Sequence, residues 1–303
     1  MATRRSNARW LVISLPYLWL AIFFLLPFLI VFKISLSTPT LAQPPYVPSF
    51  SLFADGLTGV WEKAKAFTTS NYSFLASDSL YISSYLSSLR IAAISTLLLL
   101  LIGYPFAYAM ARAPRGLQPM LVMLVILPFW TSFLIRVYAW IGILKPEGLL
   151  SSFLIWLGLI DEPLRIMNTE TAVFIGIVYA YLPFMVLPLY ASLEKLDPTL
   201  LEAANDLGCP PWKAFWLITV PLSLPGIVAG CFLVFIPAVG EFVIPDLLGG
   251  SATHMIGKTL WSEFFGNRDW PVASAVAVVL LLLLVVPIVI YQNIQARQME
   301  AAR

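Results

Sequence analysis

The sequence predicts an all-α membrane protein with six transmembrane helices, and two features of the 303-residue chain carry that expectation. Hydrophobic residues make up 60% of the chain and charged residues only 11%, against roughly 25% charged residues in ordinary soluble domains. Six stretches are also apolar enough to cross a hydrocarbon core of about 30 Å, which takes about 20 residues. No segments of about ten residues alternate polar and apolar side chains, which argues against a membrane β-barrel.

The first span is expected from Trp10 to Leu36, after a basic tail carrying Arg4, Arg5 and Arg9. Thr40-Leu41-Ala42 faintly resembles a signal cleavage site, but the apolar run reaches Ile34 with only Lys33 interrupting it. That is about twice the length of a signal-peptide apolar region, so the helix is expected to stay. Lys33 lies close enough to the end to reach the headgroups as an interfacial anchor. Residues 37–84 follow outside the membrane, rich in Pro, Ser, Thr and aromatics, including Pro39, Pro44, Pro45, Pro48 and Trp61. They hold too few apolar periods for a domain and are expected to be a partly ordered loop.

A five-helix core is expected over residues 85–292, with spans from Tyr85 to Arg112, Leu117 to Leu144, Thr171 to Leu193, Phe215 to Leu248 and Pro271 to Tyr291. Residues 293–303 form a polar tail, and no internal repeat is visible. Three arginines without an acid precede the first span, and Arg112 and Arg115 separate the second from the third, so both termini are expected in the cytoplasm. An even number of spans agrees. The rule weakens further on, where Lys63, Lys65, Lys145, Arg165, Lys258 and Arg268 fall in outside loops among many acids.

Catalysis is not expected of this composition. The chain has one histidine, His254, in an outside loop, where neither a zinc site nor a Ser-His nucleophile can be assembled around it. Cys209 falls in a cytoplasmic loop and Cys231 inside a span, so neither a disulfide nor a metal site is expected. Gly257-Lys258-Thr259 ends like a phosphate-binding loop, but Ala252 stands where its first glycine belongs and the loop lies on the outer face. A net charge of +2 from scattered basic residues argues against nucleic acid.

Ionisable groups inside spans are costly, and each is a functional candidate. Glu241 is the sharpest, because Pro237, Gly240 and Pro245 break the helix around it and free backbone carbonyls beside a possible pathway. Its alternative is a packing role, paired to Arg136 or to another chain. The segment from Leu127 to Trp140 surrounds Arg136 with aromatic residues.

Residues 202–208, Glu-Ala-Ala-Asn-Asp-Leu-Gly, are followed after nine residues by Ile218-Thr219-Val220-Pro221 in a polar break between two spans. This segment resembles the EAA loop of the inner-membrane permeases of ABC importers, with Val220 where the family usually has leucine. The resemblance implies a type I ABC importer permease fold in the bacterial inner membrane. It also implies a periplasmic binding protein, a second related permease, and two copies of a separate ATPase subunit that bind the ATP, so that this chain carries no cofactor. Coupling to the ATPase would rest on Glu202, Ala203, Ala204 and Gly208. Leu201 to Leu207 would form a first short helix, Gly208 the turn and Trp212 to Leu217 a second, with both alanines keeping the packing close. Docking on the ATPase requires residues 194–214 to face the cytoplasm, which agrees with the orientation above.

The Leu127–Trp140 segment, Gly176 to Met185 and Arg268-Asp269-Trp270-Pro271 resemble the polyamine branch of these permeases, above all the putrescine type, over about Leu15 to Pro287. Val239-Gly240-Glu241-Phe242 is more similar to the putrescine than to the spermidine permeases. A diammonium cargo needs carboxylates for its ends and aromatic faces for its charge and methylenes. Glu241 with Trp130, Tyr138, Trp140, Tyr179 and Tyr181 are the candidates for that pathway, and Arg136 is expected to be a structural charge that orients Glu241 or caps a helix.

Overall fold

The computed structural model describes residues 13–50, 62–63, 65–251 and 253–301. Arg4, Arg5, Arg9, Trp10, Trp61 and Ala252 lie outside the described residues. The chain divides into two compact units, one made of residues 1–82 with 259–303 and the other of residues 83–258.

The first unit joins the two ends of the chain. Its opening span, Ile13–Ser35, contains a π turn at Ala21–Leu25 just before Pro27, whose missing N–H cannot continue the regular helical ladder. This helix lies against the terminal helix, Trp270–Ala301. Between them, the segment expected outside the membrane holds short elements of regular structure. Thr38–Pro39 and Tyr46–Val47 pair as an antiparallel hairpin with Thr38 opposite Val47, and a helix forms over Ser70–Ser77. Buried Asn71 donates to the carbonyls of Ser35 and Ser37, both at 2.8 Å, tying that helix to the end of the first span. Lys33 does not simply stand free at the interface: its Nζ lies over the rings of Tyr46 and Phe50, at 4.8 and 4.5 Å.

The second expected span begins earlier than hydropathy alone predicts, as a helix of 34 residues from Ser79 to Arg112. Polar side chains obscure its first turns, but Asp78 accepts the Leu80 N–H at 2.8 Å and supplies a start signal. In the second unit, Glu170–Leu193 runs as one helix through Pro183 and Pro188 and packs on Leu224–Val239. Leu99, Met185, Val186, Leu189 and Val234 bury their side chains in that core. The approach is close enough to require glycine: a Cβ at Gly226 would stand 2.5 Å from Ser192 Cβ, and one at Gly230 would stand 2.8 Å from Met185 Sδ.

Four helices are long and apolar enough to cross a membrane unbroken, namely Ile13–Ser35, Ser79–Arg112, Glu170–Leu193 and Trp270–Ile290. The third and fifth expected spans are bent pairs. Gln118–Trp130 meets Phe133–Trp156 at 87°, and Pro211–Leu222 meets Leu224–Val239 at 64°. Counting each pair as one span gives up to six. Local chemistry accounts for the breaks. Pro128 starts a 3-10 turn over Leu127–Trp130, after which Thr131 and Ser132 take extended ψ values of 151° and 135°. At the second break Ser223 and Leu224 precede Pro225, and a residue before proline is disfavoured in a helix.

Candidate functional site

Helix Leu224–Val239 contains Pro237 and stops at Gly240, and the chain resumes helical geometry only at Val243–Leu247. The first N–H groups of that short helix have no partner within it. Glu241 supplies one: its Oε1 accepts from the backbone N–H of Val243 at 3.0 Å and of Ile244 at 3.3 Å. Its Oε2 accepts from the Tyr181 hydroxyl at 2.5 Å. The residue is only 8% exposed, and three hydrogen bonds to the charged group are what make a buried carboxylate tolerable.

Glu241 lines a pocket of about 430 Å³ together with Phe129, Phe133, Arg136, Tyr181, Phe184 and Phe242. Phe184 stands edge-on to Phe129 at 5.3 Å and beside Tyr181 at 5.9 Å. Arg136 places its guanidinium over Phe129 at 5.1 Å and Phe133 at 5.8 Å. It forms no ion pair with Glu241. The expectation that Arg136 orients Glu241 or caps a helix is therefore corrected: Tyr181 and the backbone of the following helix hold the carboxylate, and the arginine is held by ring faces. The pocket presents one carboxylate, several π faces and the fixed cation of Arg136, which already covers Phe129 and Phe133; Glu241 with Tyr181 and Phe184 is the part of it whose chemistry suits an organic cation.

Of the residues singled out from sequence, Glu241, Tyr181 and Arg136 come together here. Trp140 and Tyr179 pair edge-to-face at 5.3 Å but do not line this pocket. Trp130 is 73% exposed and Tyr138 is 58% exposed, and neither lines it. The phenylalanines of the lining were passed over by reading the aromatic runs for tryptophan and tyrosine alone. Their signal was present, because Phe129 follows the proline that breaks one span and Phe242 follows Glu241 at the break of another.

A second arrangement occupies the polar stretch between the fourth and fifth expected spans. Thr199–Asp206 is helical, Gly208 turns the chain with a φ of +77°, and Pro211–Ala214 begins the next helix and continues as a π turn over Phe215–Thr219. Gly208 and Cys209 donate to the carbonyls of Asn205 and Ala204 at 2.8 and 2.9 Å, closing the first helix. Asp197 opens it by accepting the Thr199 N–H at 3.0 Å, and this bond holds its carboxyl below the usual carboxylate range. Ala204 is buried, whereas Ala203 faces outward with Glu202 and Gly208, so only one of the two alanines serves the internal packing. Large apolar side chains on the same stretch, Leu207, Trp212, Trp216 and Leu217, are all exposed.

Known proteins resemble this chain over most of its length. Residues 100–300 match the family described as binding-protein-dependent transport system inner membrane component. The spermidine/putrescine transport system permease protein PotB of Escherichia coli is 48% identical over 225 residues, covering 74% of this chain and 82% of that protein. PotB of Haemophilus influenzae is 41% identical over 281 residues, 93% of this chain and 92% of that protein. A chain of a bacterial alginate ABC transporter, solved with an alginate-bound periplasmic protein, shares the fold with a TM-score of 0.70 at 15% identity, over 98% of this chain and 96% of that one. Members of this family are multi-pass subunits of transporters and not themselves enzymes. The chain belongs to the inner-membrane permease components of binding-protein-dependent transport systems.

Proposed function

We propose that this chain is the permease subunit of an ATP-driven polyamine importer and that putrescine is its preferred cargo. The observation that carries the cargo class is the buried carboxylate of Glu241 inside an aromatic pocket. The permease relatives, named for spermidine and putrescine, support the same class. Preference for putrescine rests on Glu241 itself within the Val239–Phe242 pattern. Spermidine is the second reading, because the relatives' names carry both amines.

The membrane arrangement we infer has six spans, each bent pair counting as one, with both termini in the cytoplasm. Residues 194–214 then face the cytoplasm, where the exposed Glu202, Ala203 and Gly208, with buried Ala204 behind them, dock on an ATPase subunit. A periplasmic binding protein delivers the cargo to the outer side. This chain pairs with a second, related permease, and two ATPase copies close on ATP and move the coupling helices. The central passage alternates its access as they do so. Glu241 and Tyr181 meet the cargo at the break in the fifth span, and Trp130, Tyr138, Trp140 and Tyr179 offer further aromatic contacts outside that pocket.

The test is tracer uptake by Glu241→Gln in the assembled transporter at normal membrane level. Gln keeps the shape and can still accept hydrogen bonds but lacks the charge. Putrescine uptake is expected to fall about tenfold or more, the equivalent of about 1.4 kcal/mol. Uptake equal to the unmodified protein removes Glu241 from the pathway.

A further inference from the structure

We propose that Arg136 limits the Glu241 pocket to one ammonium group: its fixed positive charge turns away a second, so that a diamine lodges by one end only and is held weakly. This deepens the reading of Glu241 as a cargo contact and rests on it. Arg136 and Glu241 line the same pocket of about 430 Å³. Their formal charges cancel, so the pocket lacks the net negative charge that a carboxylate among aromatic rings would otherwise give it.

The hydrogen bonds show where a single ammonium fits. An ionised carboxylate offers about four lone-pair sites. In Glu241 three are taken, by the N–H groups of Val243 and Ile244 on Oε1 and by the Tyr181 hydroxyl on Oε2. The site that remains, on Oε2, suits one N–H donor, with the Phe184 ring beside Tyr181 at 5.9 Å. Elsewhere in the pocket the guanidinium of Arg136 lies 5.1 Å over Phe129 and 5.8 Å over Phe133, within the distance of about 6 Å at which a cation occupies a ring face. A second ammonium would meet those covered faces and a like charge.

No ion pair neutralises Arg136 among the described residues, and none is required. The side chain is only half-buried and lines an open pocket, where water hydrates a guanidinium, although its Nε is shut off from solvent without a partner. Water weakens the repulsion without removing it. A sphere of the pocket's volume is about 9 Å across, close to the Debye length of about 8 Å at physiological salt, so salt screens Arg136 only partly from a charge inside it. A site on a transport route must also bind weakly enough to release what enters, and a like charge supplies that weakness.

The test is binding of labelled putrescine and labelled butylamine to the purified membrane complex of this chain, the second permease and the ATPase, without the binding protein. Butylamine has a methyl where putrescine has its second ammonium, so the ratio of the two affinities reads the effect of Arg136 on that ammonium. Arg136→Met keeps an unbranched side chain that packs on rings but removes the charge. It is expected to bind putrescine about tenfold tighter and butylamine less than about threefold tighter. Arg136→Lys, which keeps the charge, is expected to preserve the unmodified ratio. An arginine that serves packing alone would shift both amines together and would not be replaced by lysine in this way. Arg136→Gln takes the place of Arg136→Met if the latter is not recovered from the membrane. Putrescine bound no tighter by the uncharged variant overturns the proposal, as does equal tightening of both amines. Glu241→Gln separates the two levels of the account. If it binds putrescine as the unmodified complex does, the pocket is not the cargo site and this inference falls with that reading; if it weakens binding while the uncharged variant fails to tighten it, only the role of Arg136 falls.

Discussion

Glu241 was visible in the sequence as an acid among proline and glycine breaks inside an apolar run, but its partners were not. Tyr181 lies 60 residues away in sequence, and only folding shows that its hydroxyl, and not Arg136, meets the carboxylate. The distinction has a measurable consequence. Tyr181→Phe removes a hydrogen bond to a charged group, worth about 1.5–3 kcal/mol, and is expected to lower the thermal midpoint of the purified transporter and to weaken putrescine uptake together. A variant with unchanged stability and unchanged uptake would show that the bond is dispensable. Arg136 was legible as a cation within an apolar span, whereas its lack of a counter-ion among the described residues is a property of three-dimensional packing that no spacing announces.

At the scale of elements, the helix–turn–helix between the fourth and fifth spans was the most legible part of the chain. Its first helix was expected over Leu201–Leu207 and forms over Thr199–Asp206, and the expected turn falls on Gly208 with its positive φ. Short polar segments carry caps, prolines and a glycine that fix their ends, so their boundaries are written locally. The bends were less legible. Pro128 and Pro225 are visible, but proline is also tolerated inside intact membrane helices, as Pro183 and Pro188 show in Glu170–Leu193. Only the surrounding packing decides which prolines break a span.

Two predictions belong to these elements. Gly208→Asp places a charged side chain on the exposed turn, in left-handed geometry that aspartate tolerates better than most residues. The permease is expected to insert normally while ATP hydrolysis no longer drives uptake; full transport by this variant would contradict the docking assignment. Gly230→Val meets Met185 across the tightest helix pair, and overpacking of this kind costs about 1–3 kcal/mol. A lowered thermal midpoint in detergent is the expected result, and an unchanged midpoint would show that the two helices can move apart freely. A pH effect is also expected at the Thr199–Asp206 helix. Asp197 has a depressed folded-state pKa, so its contribution is present at neutral pH and is lost as pH falls through that depressed value.

For the whole molecule, hydropathy gave the class and the number of apolar stretches, because each stretch must satisfy its own backbone in lipid. It did not show the order after the first span, where Thr38–Pro39 pairs with Tyr46–Val47 and Asn71 ties the Ser70–Ser77 helix to Ser35 and Ser37 through contacts distant in sequence. In the proposed transporter a binding protein delivers the cargo, so the assembly as well as this chain would set its identity. The most direct measurement is therefore ATP-dependent uptake of labelled putrescine into vesicles holding this chain, its partner permease, the ATPase and the binding protein, with excess unlabelled spermidine as competitor. Strong uptake that requires ATP and that spermidine barely reduces is the expected result. Uptake dominated by spermidine would contradict the putrescine preference, and absence of any polyamine uptake would contradict the proposed cargo class.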